Sequence, residues 1–293
     1  MLAGFSDARV EVGDGVAIRV RQAGDGPPVL LLHGYPQTHA CWHRVAPRLV
    51  EAGFTVVLTD LRGYGGSSKP ASAPDHSTYS KRAMAADQVA VMRRLGHDRF
   101  AVAGHDRGGR VTHRMALDHP GAVGRWAVLD IAPTATMYAR TDMAFATGYY
   151  HWFFLIQPAP MPERLIGADP EFYLRRKLAA WDRGEDTFAP EAFEDYRRAF
   201  ADPATIAATC EDYRAAASID LEHDAADAGR TVAAPLLALW GEHGLVGRSY
   251  DVLATWREKA DDVRGRALPT GHFLPEEAPE AVADALIGFF AEG

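Results

Sequence analysis

Phe100-Ala101-Val102-Ala103-Gly104-His105-Asp106-Arg107-Gly108-Gly109-Arg110 is the stretch that decides the fold of this 293-residue chain. Its first four residues form an apolar run without polar alternation, the pattern of a strand buried on both faces. An acid bracketed by glycines follows at once, and from Gly108 to Leu117 the apolar spacing becomes helical. Strand, abrupt turn and helix in so short a span is half of a crossover unit, the connection that parallel strands require. Working outward, comparable apolar runs recur at Val29–Leu32, Thr55–Leu58, Trp126–Leu129 and Pro235–Leu239, with helical patterns over Trp42–Val50 and Lys81–Leu95. The class is therefore α/β, a mostly parallel central sheet flanked by helices. Arg9–Val12 and Val16–Val20 alternate around Gly13-Asp14-Gly15 as an opening β-hairpin, and Pro279–Phe290 reads as a closing helix.

The alternation breaks after Asp130. From about Ala135 to Arg230 the chain is rich in aromatics and helix formers and carries no convincing buried strand. That pattern predicts a core of two chain segments, 1–134 and 231–293, with a helical cap at 135–230 inserted between them. Such lids exclude water and shape a substrate pocket.

Composition narrows the function. The chain carries 31 Lys+Arg against 39 Asp+Glu, a net charge of −8, which argues against nucleic acid as a partner. A locally positive pocket inside an acidic protein stays compatible with a small anion. Cys41 and Cys210 are the only cysteines, too few for a disulfide framework or a cysteine zinc site. The N-terminus lacks a basic start and an apolar targeting core, and no apolar run is long enough to span a bilayer. A cytoplasmic protein without a membrane partner is expected. His39 and His43 are four apart, but no third ligand accompanies them, so no metal and no cofactor are expected.

Gly104-His105-Asp106-Arg107-Gly108 matches the nucleophile elbow of α/β-hydrolases, Gly-x-nucleophile-x-Gly between a strand and a helix. The α/β-hydrolase fold is thus the expected architecture. Here the nucleophile position holds an aspartate; the plainer alternative is that Asp106 caps the following helix. A carboxylate attacking an sp³ carbon leaves an alkyl ester that water can cleave at the carbonyl. The cleaving step needs a base, and His272 in Gly271-His272-Phe273-Leu274-Pro275 stands just before the final helix. Two acids compete to orient it: Asp130 after the strand Trp126–Leu129, which we favour, and Glu242 after Trp240, where Gly244 occupies the place of the more usual aspartate. His33-Gly34-Tyr35-Pro36 follows a buried strand, and the backbone N–H groups of Tyr35 and Arg107 could form an oxyanion hole worth about 3 kcal/mol per donor.

Taken together, Gly104–Arg110, Leu129-Asp130-Ile131, Tyr150-His151-Trp152, Glu211-Asp212-Tyr213-Arg214 and Gly271–Glu277 resemble fluoroacetate dehalogenases, over a span from about Pro27 to the C-terminus that includes the lid. The resemblance implies hydrolytic defluorination of fluoroacetate to glycolate through an aspartyl ester. It also implies that Arg107 and Arg110 hold the substrate carboxylate, that His151, Trp152 and Tyr213 bind the leaving halide, and that the protein is a homodimer. Two arginines beside the nucleophile suit a carboxylate, which guanidinium forks grip bidentately. Each aromatic of the halide trio carries an N–H or O–H donor, although lid aromatics usually serve packing. Haloalkane dehalogenases place a tryptophan directly after the nucleophile; Arg107 stands there instead, which disfavours a neutral haloalkane. Trp181 is a weaker candidate for lining the pocket.

Three rival functions are compatible with the same residues. An epoxide hydrolase shares the Asp/His machinery and would need lid tyrosines such as Tyr213 with Tyr149 or Tyr150 to protonate the epoxide oxygen. A haloacid dehalogenase with poor C–F activity differs little in sequence. A catalytically dead fold used for binding is opposed by the intact Asp106, Asp130 and His272 set.

Overall fold

The computed structural model describes residues 1–179 and 187–292. Among them one eight-stranded sheet forms the core: β1 (Ser6–Gly13), β2 (Val16–Ala23), β3 (Pro28–Leu32), β4 (Thr55–Thr59), β5 (Phe100–His105), β6 (Val123–Leu129), β7 (Leu236–Gly241) and β8 (Val263–Leu268). The spatial order is β1-β2-β4-β3-β5-β6-β7-β8, with the pairs made by β2 antiparallel and all others parallel. Val29–Leu32 and Val56–Leu58 are wholly buried, as strands covered on both faces must be. The opening hairpin and the buried runs fold as their patterns predict. β8 gives no such signal: Val263-Arg264-Gly265-Arg266 is an edge strand with its arginines facing solvent, which is how natural sheets blunt an edge.

Helices α1 (Ala46–Glu51), α2 (Lys81–Arg94) and α3 (Arg107–Asp118) cover the sheet. The region expected as one helix over Trp42–Val50 divides into a short 3₁₀ turn at His39–Trp42 and α1. Pro47 in the first turn of α1 has no N–H to continue a preceding helix. Ser80 caps α2 by accepting from the Ala83 N–H at 3.2 Å. Between β6 and β7 the described residues form α4 (Thr134–Ala139), α5 (Met143–Gly148), α6 (Tyr150–Leu155), α7 (Met161–Ala168), α8 (Pro170–Ala179), α9 (Pro190–Phe200), α10 (Pro203–Ala216) and α11 (Ile219–Ala226), without a strand. After β7 come α12 (Leu245–Ser249), α13 (Val252–Arg257), α14 (Leu274–Glu277) and α15 (Pro279–Phe290). No described helix is long and apolar enough to cross a membrane.

Parallel register brings the chemistry together. Leu32 pairs with Gly104, His105 with Leu129, Leu129 with Leu239, and Gly241 with Leu268. The residues that follow β3, β5, β6, β7 and β8 therefore emerge along one edge, the carboxyl ends of the strands, where open α/β sheets bind ligands.

Candidate active site

Asp106 stands between β5 and α3 with φ 46° and ψ −112°, a conformation that costs a non-glycine residue about 1–3 kcal/mol and persists only when its surroundings impose it. Its side chain makes no capping bond to α3, so the plain helix-cap reading does not describe it. The turn needs bare backbone nearby: a Cβ on Gly104 would lie 2.3 Å from the Gly108 carbonyl oxygen, and one on Gly34 would lie 2.5 Å from the Asp106 Cβ. Burial alone would raise the Asp106 pKa, but the charges of His272, Arg110 and Arg107 more than reverse this and hold it below the usual carboxylate range. The nucleophile candidate is thus buried and ionised.

His272, in the loop between β8 and α14, sets its Nδ1 2.6 Å from Asp130 Oδ2. Asp130 Oδ1 accepts from the Gly241 N–H at 2.9 Å, which fixes the carboxylate on the far side. Burial opposes charging of His272, yet the hydrogen bond and charge of Asp130, with the charge of Asp106, raise its pKa above the ordinary 6.5. Glu242 is exposed to solvent. Gly244 explains the arrangement: a Cβ there would stand 3.2 Å from Asp130 Oδ1, so the carboxylate arriving from β6 occupies the space an acid after β7 would need. The histidine loop is gripped by Glu277, whose carboxylate accepts from the Gly271 N–H at 2.6 Å and the Phe273 N–H at 2.7 Å. His105 Nε2 lies 2.8 Å from the His272 carbonyl oxygen, and burial followed by the His272 charge brings the His105 pKa down to about 3. At neutral pH His105 is therefore neutral, with Nε2 placed to donate.

The Tyr35 N–H donates to Asp106 Oδ2 at 2.9 Å. The expected oxyanion donor thus already grips a nucleophile oxygen before any reaction. The Tyr35 ring packs against the lid, its hydroxyl 3.2 Å from that of Tyr173.

Both arginines are buried at the elbow, so neither is a surface charge. Their donors are deployed differently from two free forks. Arg107 spends its fork inside the protein: Nε and Nη2 donate to the two Asp212 carboxylate oxygens at 3.0 and 2.7 Å, and Nη2 also donates to the Asp212 carbonyl. Arg110 Nη1 donates to the Ala132 carbonyl at 3.2 Å and Thr134 Oγ1 at 2.9 Å, while Nη2 meets Met137 Sδ. Arg107 Nη1 and Arg110 Nε are buried with no hydrogen-bond partner among the described residues. Each arginine has one donor nitrogen in reserve.

The three lid aromatics cluster against these cations. The Arg107 guanidinium lies over the Tyr213 ring at 4.1 Å and that of Arg110 over the Trp152 ring at 4.7 Å, cation–π contacts that fix rings and charges together. The His151 and Tyr213 ring centroids are 5.5 Å apart, and those of Trp152 and Tyr213 6.3 Å. Burial, then the Asp106 charge, pushes the Tyr213 hydroxyl well above its usual pKa, so it stays protonated as a donor, and it has no partner among the described residues. Burial, then Lys177, holds His151 well below the ordinary histidine value and so neutral.

Asp212 and Lys177 carry no role in the sequence reading. Asp212 is the counter-charge of Arg107; Lys177 is a lid lysine whose pKa burial lowers to about 7, with the Asp106 charge pulling the other way. A buried arginine demands a nearby acid, and that demand was the available signal for Asp212. Of the remaining candidates, Tyr150 is exposed and Tyr149 is buried, its ring 6.5 Å from that of His272. The His39 imidazole bonds Asp60 at 2.8 Å and His43 bonds the Ala40 carbonyl, so each ring is turned to a different partner. Trp181 lies outside the described residues.

The family model for the alpha/beta hydrolase fold matches residues 27–279. A fluoroacetate dehalogenase from Burkholderia sp is 48% identical over 293 residues, covering 100% of this chain and 96% of that protein. A soluble epoxide hydrolase from Corynebacterium sp. (strain C12) is 36% identical over 273 residues, 92% of each chain. A crystal structure of a protein assigned to the α/β hydrolases from Nostoc sp PCC 7120 superposes with a TM-score of 0.98 at 58% identity and full coverage of both chains. With a family model spanning most of its length and relatives aligned from end to end, this chain belongs to the α/β hydrolase family.

Proposed function

We propose that this chain is a hydrolytic dehalogenase of small 2-haloacids, converting fluoroacetate to glycolate and fluoride. The observation that carries the reading is a buried, ionised Asp106 on a strained elbow with two buried arginines beside it. An Asp106 oxygen attacks the halogen-bearing carbon from behind; the C–O bond forms as the C–F bond breaks, and fluoride leaves with the electron pair. His151, Trp152 and Tyr213 donate to the departing fluoride, each hydrogen bond to the anion contributing about 1.5–3 kcal/mol. His272, held by Asp130, then takes a proton from water, and the resulting hydroxide attacks the ester carbonyl. The Tyr35 and Arg107 N–H groups stabilise the tetrahedral oxyanion; as it collapses, the ester C–O bond breaks, His272 returns its proton to the departing glycolate oxygen, and the Asp106 carboxyl releases the remaining proton to regenerate the carboxylate. Full-length similarity to a fluoroacetate dehalogenase supports this reading.

The epoxide hydrolase relative favours a second reading, ring opening by the same aspartate. Buried Tyr213 and Tyr149 would be its proton donors, exposed Tyr150 would not, and the two buried cations beside the nucleophile have no task on a neutral epoxide. A third reading keeps the haloacid substrate with poor activity on C–F bonds. Fluoride release from fluoroacetate, chloride release from chloroacetate and diol formation from styrene oxide separate the three. Fluoride release with kcat/KM within tenfold of that for chloroacetate, and no diol, is the expected result. Diol without halide release overturns the proposal.

We also assign the protein to the cytoplasm, as two buried free cysteines suit a reducing compartment, and to a homodimer. Met161 and Leu165, four residues apart on α7, and Phe172 on α8 are exposed apolar side chains of the lid, of the kind a second copy would cover. Sedimentation of the intact protein tests the dimer; a monomer at micromolar concentration contradicts it.

A further inference from the structure

Resting on the dehalogenase reading, we infer that Asp212 is a positioning residue that aims Arg107 for a carboxylate and makes substrate capture depend on the seating of the lid. Asp212 sits on lid helix α10, and its carboxylate is fully buried where α10 meets the core. It is shared by three core groups. Arg107 from the elbow takes both oxygens, the Tyr64 hydroxyl donates to Oδ2 at 2.6 Å, and Lys81 at the start of α2 bonds Oδ1. Lys81 has a second acid, Asp220 on α11, at 3.4 Å. Arg107 has no other carboxylate bonded to it among the described residues.

Arginine is a planar fork, so fixing two of its nitrogens fixes the third. With Nε and Nη2 held by Asp212, only Nη1 is left for an external anion, and it is buried without a partner among the described residues. The neighbouring residue closes the other face: Tyr213 lies under the same guanidinium at 4.1 Å and brings its own unpartnered hydroxyl. One turn of α10 therefore orients the carboxylate donor through Asp212 and presents a candidate halide donor through Tyr213. If the lid moved, both would be lost together. Lys81 divides its charge between Asp212 and Asp220, so it helps to hold the acid in place without bonding to the Arg107 fork.

The test uses acetate, a carboxylate without a leaving group, so that binding is read independently of turnover. Calorimetric titration with acetate is run on the parent, Arg107→Met, Asp212→Asn, Asp212→Glu and Lys81→Met, alongside near-UV circular dichroism and thermal melting. Asp212→Asn should weaken acetate at least tenfold, with little further loss when combined with Arg107→Met. Asp212→Glu, which keeps the charge, should recover part of that loss and supplies the comparison if the asparagine variant does not fold. Lys81→Met removes a partner of Asp212 but leaves the Arg107 pair, so it should lower the melting temperature while keeping acetate affinity within threefold. Parent-like acetate binding by folded Asp212→Asn overturns the inference. So does equal weakening by Lys81→Met, which would mean that Asp212 acts only through the stability of the fold. Acetate binding that follows this pattern in a protein inactive on fluoroacetate would refute the dehalogenase reading and leave the role of Asp212 standing.

Discussion

Asp130→Asn separates the two chemical steps, and its effect can be worked from the geometry. The Gly241 N–H donates to Oδ1 at 2.9 Å and therefore demands an oxygen at that position. The asparagine oxygen must take it, which turns the amide NH₂ toward His272 Nδ1, now 2.6 Å from Oδ2. An NH₂ donor facing Nδ1 forces the imidazole proton onto Nε2. The histidine then has no lone pair with which to take a proton from water. An inverted tautomer of this kind costs about 10⁴ in rate, or ~5.4 kcal/mol at ~1.36 kcal/mol per decade. Displacement of fluoride needs no base, so the ester still forms. A rapid-quench assay with fluoroacetate should show a burst of one fluoride per active site, followed by turnover slowed about 10⁴-fold. Steady turnover within tenfold of the parent would refute the assignment of Asp130, and the absence of a burst would refute the order of steps.

Other consequences follow from the same arrangement. Tyr213→Phe removes one donor to the leaving halide, so turnover of fluoroacetate should fall about 10–150-fold, the equivalent of ~1.5–3 kcal/mol. Chloroacetate and bromoacetate, whose leaving anions accept hydrogen bonds more weakly, should lose less, and comparison of halide release across the series reads the difference. The pH dependence has a defined sign: His272 must be neutral to activate water, its pKa in the free protein is raised above 6.5, and ester hydrolysis should therefore fall as the pH drops through that value. Once Asp106 is an ester its charge no longer supports protonated His272. The acid limb of single-turnover ester hydrolysis should consequently lie below the His272 pKa measured in the free protein by NMR. Gly34→Ala places a Cβ 2.5 Å from the Asp106 Cβ and 2.9 Å from its Oδ2; the expected outcome is a folded protein destabilised by about 1–3 kcal/mol in denaturant titrations, with turnover essentially abolished.

The central strands announced themselves because helices cover both of their faces, so Val29–Leu32 and Phe100–Ala103 had no reason to alternate. β8 stayed silent for the opposite reason: at an edge, Arg264 and Arg266 face water and imitate a loop. Asp106, Asp130 and His272 were legible because each directly follows a strand, or the loop after one, at the sheet edge where the register converges. The deployment of Arg107 was not. Its fork belongs to an acid 105 residues away, and nothing local to either residue marks the pairing. Local pattern reports which face of an element is buried; which charge meets which across the interior is settled by how the lid seats on the core.

The central claim is a covalent ester on Asp106, and trapping it tests the claim most directly. His272→Ala is mixed with fluoroacetate, the intact protein is weighed by mass spectrometry, and the modified peptide is fragmented. The account predicts stoichiometric gain of one carboxymethyl group, located on Asp106, with one fluoride released per protein. Sustained turnover by the variant without any adduct, or an adduct on a residue other than Asp106, would contradict it.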